Sequence, residues 1–457
     1  MVKTIFDLGD TRQDLGAGEA VAVVERAGVQ VVDLQFSDIA GGTKGLTIPT
    51  AMLDFALGHG YRFDGSALTG GDRHAELDLY LVPDPATLSV FPTPAGSNRA
   101  RLYCSVRRHD GRPFPGDPRT TLERTLGDAA AAGFDIRVGL EMEYYLFRRP
   151  GPESGGAPLL HGDAAGYFDV GAEVVAGTRD EIVTTLQALG VGVGGAHHET
   201  GPGQEELDLL PAGGVAMADQ IMTVRQVIRS VAARRGLRAT FMPKPLPDAP
   251  GSGMHFQQRL FGYPGGEDLL RDRTGGGDHL SIAGGHFLAG QLAHAAGMAA
   301  ILCPTVNSYK RLNAGHRAPR HARWARVGES ALIRSPAMGD DQPGMLELRS
   351  PDATANPYLA LTVVIAAALD GIRRGESPPE ALDESLVAYD DAGLDRLGTP
   401  RLPENLGDAL AALAGDDVVR NALGDYIFDL FYTRKWAEWS DYRRQITPWE
   451  LARYADL

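Results

Sequence analysis

Cysteine is scarce in this sequence, and the two cysteines that occur, Cys104 and Cys303, lie far apart in apolar surroundings. Two distant thiols do not make the disulfide framework of a small secreted domain, so we expect a reducing compartment. The N-terminal residues MVKTIFDLGD also lack the apolar segment that a secretory signal requires. The sequence therefore predicts a cytoplasmic protein without disulfide bonds.

Long apolar runs and an excess of positive charge are missing as well. The longest apolar run, LALTVVIAAAL at residues 359–369, is too short to cross a bilayer and predicts a buried helix. Asp and Glu number 59 against 44 Lys and Arg, and the formal net charge of -15 would repel a nucleic-acid backbone. We therefore expect no membrane span and no nucleic-acid partner.

The length and the apolar fraction of the chain indicate more than one domain. A chain of 457 residues with 43% apolar residues is long enough to bury a sizeable core in each of two domains. The first hundred residues show strand-like alternation, as in VVDLQFSD, and a segment rich in glycine, proline and charge follows at 107–120. We predict an N-terminal domain over residues 1–110 and a second, α+β domain over residues 111–457.

Helix signals begin after this boundary. Residues 120–132 and 216–234 have helical patterns that end at Gly133 and Gly236. In GTRDEIVTTLQALG, Thr178 is predicted to be a helix N-cap and Gly190 the stop. Strands and helices therefore mix in the second domain.

The segment DIRVGLEMEYYLF carries the first chemical signal. As a strand it places alternate apolar residues on one face, and Glu141 and Glu143 on the other face, roughly 7 Å apart. Two carboxylates on an otherwise apolar strand are costly to bury unless a cation compensates their charge. This segment alone leaves open the alternative of a half-exposed strand with solvated acids.

Three further strand-like segments, GAHHETGPGQEELDLL, GSGMHFQQRLF and GMLELRSP, also direct acidic or imidazole side chains to one face. Five inward glutamates and one histidine need a shared counter-charge. Mg²⁺ and Mn²⁺ prefer carboxylate oxygens, whereas zinc is disfavoured because no cysteine and one well-placed histidine contribute. The sequence therefore predicts a site for hard divalent cations with the ligands Glu141, Glu143, Glu199, Glu206, His255 and Glu347.

The order of the motifs resembles the glutamine synthetase superfamily over almost the whole chain. The matching segments include VVDLQFSD, FDGS, PFPGDPR, GLEMEYYLF, HHETGPGQEE, GSGMH, NSYKRLNAG and ELRSPDATANPYLAL. The resemblance implies an N-terminal β-grasp-like domain followed by a catalytic α+β domain with a curved antiparallel sheet and helices. It also implies a homo-oligomer of stacked hexameric rings, a dodecamer, with active sites between neighbouring subunits.

The resemblance further implies a two-step ligase reaction. ATP would phosphorylate the γ-carboxylate of glutamate or an analogue, and an amine would then displace the phosphate to leave an amide. Two metal ions would stabilise the charge on the transferring phosphoryl group. By this resemblance one metal is held by Glu143, Glu199 and Glu206, and the other by Glu141, His255 and Glu347.

Five more positions match substrate-handling residues of the family. Arg311 and Arg349 match the arginines that hold the amino-acid substrate and its phosphorylated intermediate. Gly251 matches a backbone position that binds glutamate, and Arg334 matches an arginine near the transferred phosphate. Asp64, in FDGS, matches an aspartate that helps to bind ammonium across the subunit boundary.

The nucleotide end departs from the family pattern. Gln257 replaces a nucleotide-contacting histidine, Arg259 stands where a serine is usual, and Glu329 replaces an arginine that holds nucleotide phosphates. A glutamate carboxylate ~4 Å from a nucleotide phosphate would be repelled by on the order of 4 kcal/mol at an effective dielectric of 20. Arg259 could restore part of the lost positive charge, so ATP binding is either rebuilt or lost.

The acceptor end departs in the loop RLNAGHRAP, residues 311–319. The family places a glutamate here that shields the intermediate and helps to deprotonate ammonium, whereas this chain has His316 and Arg317. An arginine stays protonated, repels ammonium and favours a carboxylate or a phosphate. His316 is either a base that takes over proton abstraction or simply a loop residue.

These features leave three functional hypotheses. The first is a metal-dependent ligase that uses ATP and joins glutamate or a close analogue to an organic amine rather than to ammonia. The second is an enzyme that keeps the metal site without ATP and performs another reaction on a carboxylate substrate. The third is a non-catalytic relative that serves in binding or assembly. The complete metal-ligand set favours a catalytic function.

Overall fold

The computed structural model describes residues 15–69, 77–91, 99–148, 165–170, 173–272, 279–313, 318–328, 330–339, 342–383, 393 and 398–457. Within these ranges the chain forms a six-stranded sheet, an eight-stranded sheet and a two-stranded sheet, and it has two hydrophobic core clusters. The candidate residues His316, Arg317 and Glu329 lie outside the described residues.

The six-stranded sheet belongs to the N-terminal part of the chain. Its elements are α1 (Ala17–Arg26), β1 (Val31–Ser37), β2 (Thr43–Pro49), α2 (Leu53–His59), β3 (Tyr61–Asp64), α3 (Ser66–Thr69), β4 (Asp78–Pro83), β5 (Ser89–Phe91) and β6 (Arg99–Arg107). The strand order is β2-β1-β6-β4-β3, with β5 paired to β6. Strands β1 and β6 are parallel, and the other pairs are antiparallel. Val32, Leu34 and Phe36 are buried, as the alternation in β1 predicts.

The eight-stranded sheet and most of the helices follow. The elements are α4 (Pro118–Ala131), β7 (Phe134–Arg148), α5 (Glu173–Ala188), β8 (Val193–His198), β9 (Gln204–Gly213), α6 (Gly214–Arg234), β10 (Leu237–Thr240), β11 (Met254–Gly262), β12 (Arg271–Asp272), β13 (His279–Leu280), α7 (Ile282–Ala293), α8 (Ala295–Leu302), α9 (Val306–Leu312), β14 (Trp324–Ala325), β15 (Ile333–Arg334), β16 (Leu346–Leu348), α10 (Pro357–Arg374), α11 (Leu406–Ala414), α12 (Asp417–Leu423), α13 (Asp425–Tyr442) and α14 (Pro448–Tyr454). The strand order of the eight-stranded sheet is β14-β15-β16-β11-β7-β9-β8, with β10 paired to β7. Every pair is antiparallel except β14 with β15.

Asp117 joins the last strand of the first sheet to the first helix of the second part. Its fully buried carboxylate accepts hydrogen bonds from the backbone N–H groups of Arg119 and Thr120 and thereby caps α4. It also accepts one from Val106 N, in β6, at 2.9 Å. The helix predicted at 120–132 is confirmed, and its start lies at Pro118 because Asp117 provides the cap.

Two other helix predictions have different outcomes. The apolar run at 359–369 forms the buried middle of α10, as predicted. Thr178 is not an N-cap, because it lies inside α5 and its hydroxyl donates to the carbonyl of Val174, one turn earlier, at 2.6 Å. No helix of the described ranges combines the length and the apolarity that a membrane span needs.

Strand β7 positions the candidate site. The six apolar residues that alternate along it are each at most 1% exposed and belong to the larger core: Ile136, Val138, Leu140, Met142, Tyr144 and Leu146. Because successive side chains of a strand point to opposite faces, burial of this set directs Glu141 and Glu143 to the other face.

Candidate active site

A cavity of about 670 Å³ opens on the face of the larger sheet that carries the acidic residues. Glu347 lies outside the lining, fully buried. The candidate residues that line the cavity are Glu141, Glu143, Glu199, Glu206, Gly251, His255, Arg311, Arg334 and Arg349. The fold therefore brings nine of the residues singled out in the sequence to one cavity.

The register of the strands explains this convergence. His255 of β11 lies opposite Glu141 of β7, and Glu206 of β9 lies opposite Glu143. Residues that lie opposite each other in antiparallel strands share a face of the sheet. Gln257 pairs with Glu347 of β16 in the same way, so four strands contribute polar side chains to one surface.

Glu141, His255 and Glu347 form the first cluster, which we call the His255 cluster. Ligand atoms of the three residues lie within 4.8 Å of one another. The Nδ1 atom of His255 is 3.1 Å from Oε2 of Glu141 and 3.3 Å from Oε1 of Glu347. Two arginines add positive charge, since Arg334 Nε lies 2.6 Å from Glu347 Oε2 and Arg349 also pairs with Glu347.

These cations determine the ionisation of the His255 cluster. Burial alone would raise the pKa of Glu347, but the hydrogen bond from His255 and the charge of Arg349 outweigh it and lower the pKa to about 2. The pKa of Glu141 is lowered against burial by the same histidine. Burial and Arg349 oppose protonation of His255, yet the hydrogen bonds to both glutamates raise its pKa.

The second cluster, the Glu206 cluster, has a different charge balance. Ligand atoms of His197, Glu199 and Glu206 lie within 4.8 Å of one another, and so do those of Glu141, Glu206 and Asp208. Burial and the neighbouring carboxylates raise the pKa of Glu206 to about 10. Burial and the charge of Glu141 raise the pKa of Asp208 to about 7. Among the described residues, no lysine or arginine lies within 4.0 Å of Glu206.

The donor set of the Glu206 cluster fits a hard divalent cation. Its carboxylates are concentrated, and within the part of the chain that the structure describes no arginine or lysine pairs with Glu206 to compensate them. Asp208 Oδ1 and His197 Nε2 are buried atoms without a hydrogen-bond partner in the described structure. Neither atom is therefore engaged in a hydrogen bond that would compete with a metal ion. Carboxylate oxygens with one imidazole are ligands that Mn²⁺ accepts, and carboxylates alone suit Mg²⁺.

Glu143 lies between the two clusters. Its Oε2 accepts hydrogen bonds from Gly253 N at 2.9 Å and from Gln204 Nε2 at 3.1 Å. Its Oε1 is 3.8 Å from His255 Nε2. Glu143 is absent from the three close groupings of the described structure, and the resemblance-based set of Glu143 with Glu199 and Glu206 stays a prediction.

Sequence reasoning missed His197 and Asp208. Both could have been found, because His197 precedes Glu199 by two positions and Asp208 follows Glu206 by two, the spacing of one strand face. Two aromatic residues also flank this cluster. The ring of Phe168 stacks on His197 at a centroid distance of 4.1 Å, and Tyr167 meets the same imidazole edge-on.

The backbone anchors Arg311 at the cavity wall. Its guanidinium donates to the carbonyl oxygens of Ser350 at 2.8 Å and Arg349 at 2.9 Å. Gly251 is needed beside it, because a Cβ there would lie 2.7 Å from Arg311 Cγ and 2.7 Å from Pro243 O. The two residues are therefore packed as one unit of the wall.

The nucleotide-side candidates occupy different places. Gln257 Nε2 donates to Glu141 Oε1 at 2.6 Å, so this side chain contacts the His255 cluster directly. Arg259 is buried and does not line the cavity. Burial lowers the pKa of Arg259 to about 10, and the charge of Asp268 opposes this change.

Asp64 lies on the N-terminal sheet, at the end of β3. Its carboxylate accepts hydrogen bonds from Ser66 N at 3.0 Å and Ser66 Oγ at 2.8 Å. Asp64 does not line the cavity formed by its own chain.

Comparison with known families accounts for both parts of the chain. Residues 28–109 match the glutamine synthetase beta-Grasp domain, and residues 115–454 match the glutamine synthetase catalytic domain.

Curated relatives and solved structures agree with this match. The chain is 39% identical to the glutamine synthetase of Halobacterium salinarum over 95% of both chains, and 37% identical to that of Clostridium saccharobutylicum over 97% of this chain and 98% of that one. A GmaS/ADP complex superposes with a TM-score of 0.83 at 30% identity and covers 96% of this chain and 99% of its own. A structure described as a novel glutamine synthase homolog gives a TM-score of 0.77 at 27% identity, over 93% and 97% of the two chains. The chain therefore belongs to the glutamine synthetase family, and it is a carbon–nitrogen ligase of that family.

Proposed function

We propose that this ligase uses ATP and divalent metal to join the carboxylate of glutamate or a close analogue to an organic amine, through an acyl-phosphate. The observation that carries the proposal is that carboxylates from both clusters and three arginines line one cavity. The carboxylates suit cations, and Arg311, Arg334 and Arg349 suit the anionic substrate and the phosphoryl group.

Metal ions would be held by the two clusters. Glu141, His255 and Glu347 would hold one ion, and Glu199 and Glu206 would hold the other together with Glu143 or His197. A bound Mg²⁺ or Mn²⁺ supplies positive charge that stabilises a transferring phosphoryl group.

The arginines would orient the acid substrate. Arg311 is fixed by backbone carbonyls, so its guanidinium keeps one position during binding. Arg334 and Arg349 both pair with Glu347, which holds them beside the His255 cluster. This arrangement preorganises positive charge where negative charge develops on the carboxylate and the phosphoryl group.

One comparison supports nucleotide use despite the altered residues. The GmaS relative binds ADP, as its title states, and it matches this chain over nearly its full length. Gln257, which stands where the family has a nucleotide-contacting histidine, donates a hydrogen bond to Glu141 and so serves the His255 cluster instead.

One feature of the sequence supports an organic amine, and one feature of the structure supports an assembled enzyme. Arg317 replaces the acidic residue that the family uses for ammonium, and an arginine there would repel a small cation while favouring an amine that carries an anionic group. Asp64 does not line its own cavity, which is consistent with a homo-oligomer in which it would serve a neighbouring subunit.

A phosphate-release assay tests the proposal. Purified protein is incubated with Mg²⁺ or Mn²⁺, ATP, glutamate and a panel of organic amines, with ammonium as a separate arm. We expect release that depends on an organic amine and is at most weak with ammonium. Hydroxylamine should trap the acyl-phosphate as a hydroxamate.

Variants separate the candidate site from the rest of the molecule. Glu347→Gln should lose activity, whereas Arg26→Gln, an exposed change on α1, should not. Release with ammonium alone would contradict the amine assignment. Absence of ATP binding by calorimetry, with a metal-dependent reaction still present, would instead favour the hypothesis of an enzyme without ATP.

A further inference from the structure

A second cavity, of about 1040 Å³, shares no lining residue with the catalytic cavity. Its wall is formed by the loop after β1, by α6, by the segment from β10 to Pro243, and by residues near the start of α9. Three arginines line it: Arg225, Arg229 and Arg238. We call it the arginine cavity.

Arg225 is the buried member of this set. It is 5% exposed, and its guanidinium donates to Ala355 O at 2.7 Å and contacts Met254 Sδ at 3.6 Å. Its Nε has no hydrogen-bond partner, and no carboxylate of the described residues lies within 4.0 Å of its nitrogens. Asp352 attracts Arg225 electrostatically but does not pair with it within 4.0 Å, and a buried cation without a paired anion is costly, so Arg225 creates a preference for an anion.

The other two arginines strengthen this preference. Arg229 lies one turn after Arg225 on α6, and its guanidinium carbon is 4.9 Å from the ring centre of Phe241. Arg238 is the second residue of β10 and is exposed. Within the described ranges neither forms an ion pair. The neighbouring Arg234 and Arg235 do so, both with Glu181, at 2.7 and 2.6 Å.

The acidic residue on the cavity wall does not compensate for the arginines. Asp38 accepts a hydrogen bond from Gly42 N at 2.7 Å and pairs with Lys44 at 3.4 Å. In a chain with a formal charge of -15, three arginines around one cavity therefore retain their positive charge for a ligand.

We propose that the arginine cavity binds a small anion that carries phosphate or carboxylate groups. Guanidinium groups bind both kinds of anion through pairs of parallel hydrogen bonds. The volume suits a metabolite-sized molecule, since ligand pockets commonly measure ~300–1,000 Å³.

The arginine cavity is connected to the catalytic cavity through one segment. Asn307, on its wall, accepts a hydrogen bond from Lys244 N at 2.7 Å and donates one to Lys244 O at 3.0 Å. Lys244 lines the catalytic cavity, and Asn307 shares α9 with Arg311. An anion in the arginine cavity thus adjoins residues that hold the catalytic wall.

Calorimetric titration of the full-length protein tests the proposal without requiring ligase activity. Inorganic phosphate and succinate serve as separate probes, so that the stronger one identifies the anion class. We expect saturable binding of at least one probe. The double variant Arg229→Gln, Arg238→Gln should weaken it at least about tenfold, because the anion loses charge-assisted hydrogen bonds to two guanidinium groups. Both positions are exposed, so this variant should fold.

Two controls locate the binding. Arg26→Gln removes one exposed positive charge elsewhere and should leave the affinity unchanged. Arg334→Gln removes an arginine of the catalytic cavity, so it should weaken any binding of the probe there and retain the binding that the double variant removes. Equal affinity of the double variant and the unaltered protein, loss of all saturable binding in Arg334→Gln, or no saturable binding of either probe up to about 10 mM would overturn the proposal.

Discussion

The two carboxylate clusters of the catalytic cavity are built on neighbouring strands but have opposite charge balances. In the His255 cluster, a histidine and two arginines neutralise Glu141 and Glu347, and the pKa of both carboxyls is lowered. In the Glu206 cluster, burial and neighbouring acids raise the pKa of Glu206 to about 10. The difference arises from the neighbours of each carboxylate, because glutamate is the common acid of both clusters.

This contrast indicates how each cluster would respond to metal. The His255 cluster is already compensated by the protein, so its geometry holds without an added ion. The Glu206 cluster is a concentration of buried acids, so a cation would relieve repulsion there and displace protons. Metal binding should therefore relieve more repulsion and displace more protons in the Glu206 cluster than in the His255 cluster.

The largest expected effect is on the free energy of unfolding of the metal-free protein, when one glutamate of either cluster is replaced by glutamine. Glu347→Gln would leave His255, Arg334 and Arg349 without their shared partner and should lower the free energy of unfolding by about 3–5 kcal/mol. Glu206→Gln should be neutral or stabilising at pH 8, because it removes an acid from a cluster of acids. Urea denaturation in EDTA measures both.

The pH dependence of the same measurement provides the control. A raised pKa in the folded state means that Glu206 contributes stability at low pH that is lost as the pH rises from about 4.5 toward 10. A lowered pKa means that Glu347 contributes stability above about 4.5 that is lost as the pH falls toward 2. If Glu347→Gln and Glu206→Gln lowered the free energy of unfolding equally at pH 8, the two clusters would not differ in charge balance.

A second, intermediate effect concerns protons released by metal. At pH 7.5 Glu206 is protonated in the metal-free protein, since its pKa is about 10, and a metal ligand must be ionised. Binding of Mn²⁺ should therefore release about one proton, and the affinity should rise up to about tenfold per pH unit below the pKa. Calorimetry in two buffers with different ionisation enthalpies measures the release. Similar release from Glu206→Gln would assign the proton to another group.

The smallest expected effect is the loss of metal affinity when Gln257 is replaced by alanine. Gln257→Ala removes the hydrogen bond to Glu141 Oε1 and should weaken metal binding about tenfold, because the partners of a ligand fix its orientation. The apparent KM for ATP should change less than the metal affinity. A large rise in that KM with unaltered metal affinity would return Gln257 to a nucleotide-contacting role.

The fold and much of the site could be predicted because strand alternation and motif order are properties of local sequence. The β7 pattern directed Glu141 and Glu143 away from the core, and the resemblance to the glutamine synthetase superfamily is confirmed over both parts of the chain. His197 and Asp208 were missed although their spacing was visible. Arg259 illustrates the limit, since alternation placed it on the face of His255 but could not show that it is buried away from the cavity.

The sequence by itself determined which residue types face the sheet surface, because the period of a strand is two residues and needs no distant information. It also determined the family, through the order of its motifs. The tertiary structure decided the charge of each carboxylate. His255 reaches Glu141 across 114 positions of sequence, and Arg334 reaches Glu347 from a neighbouring strand. Ionisation depends on burial and on charges a few ångströms away, and those neighbours are set by strand register and packing.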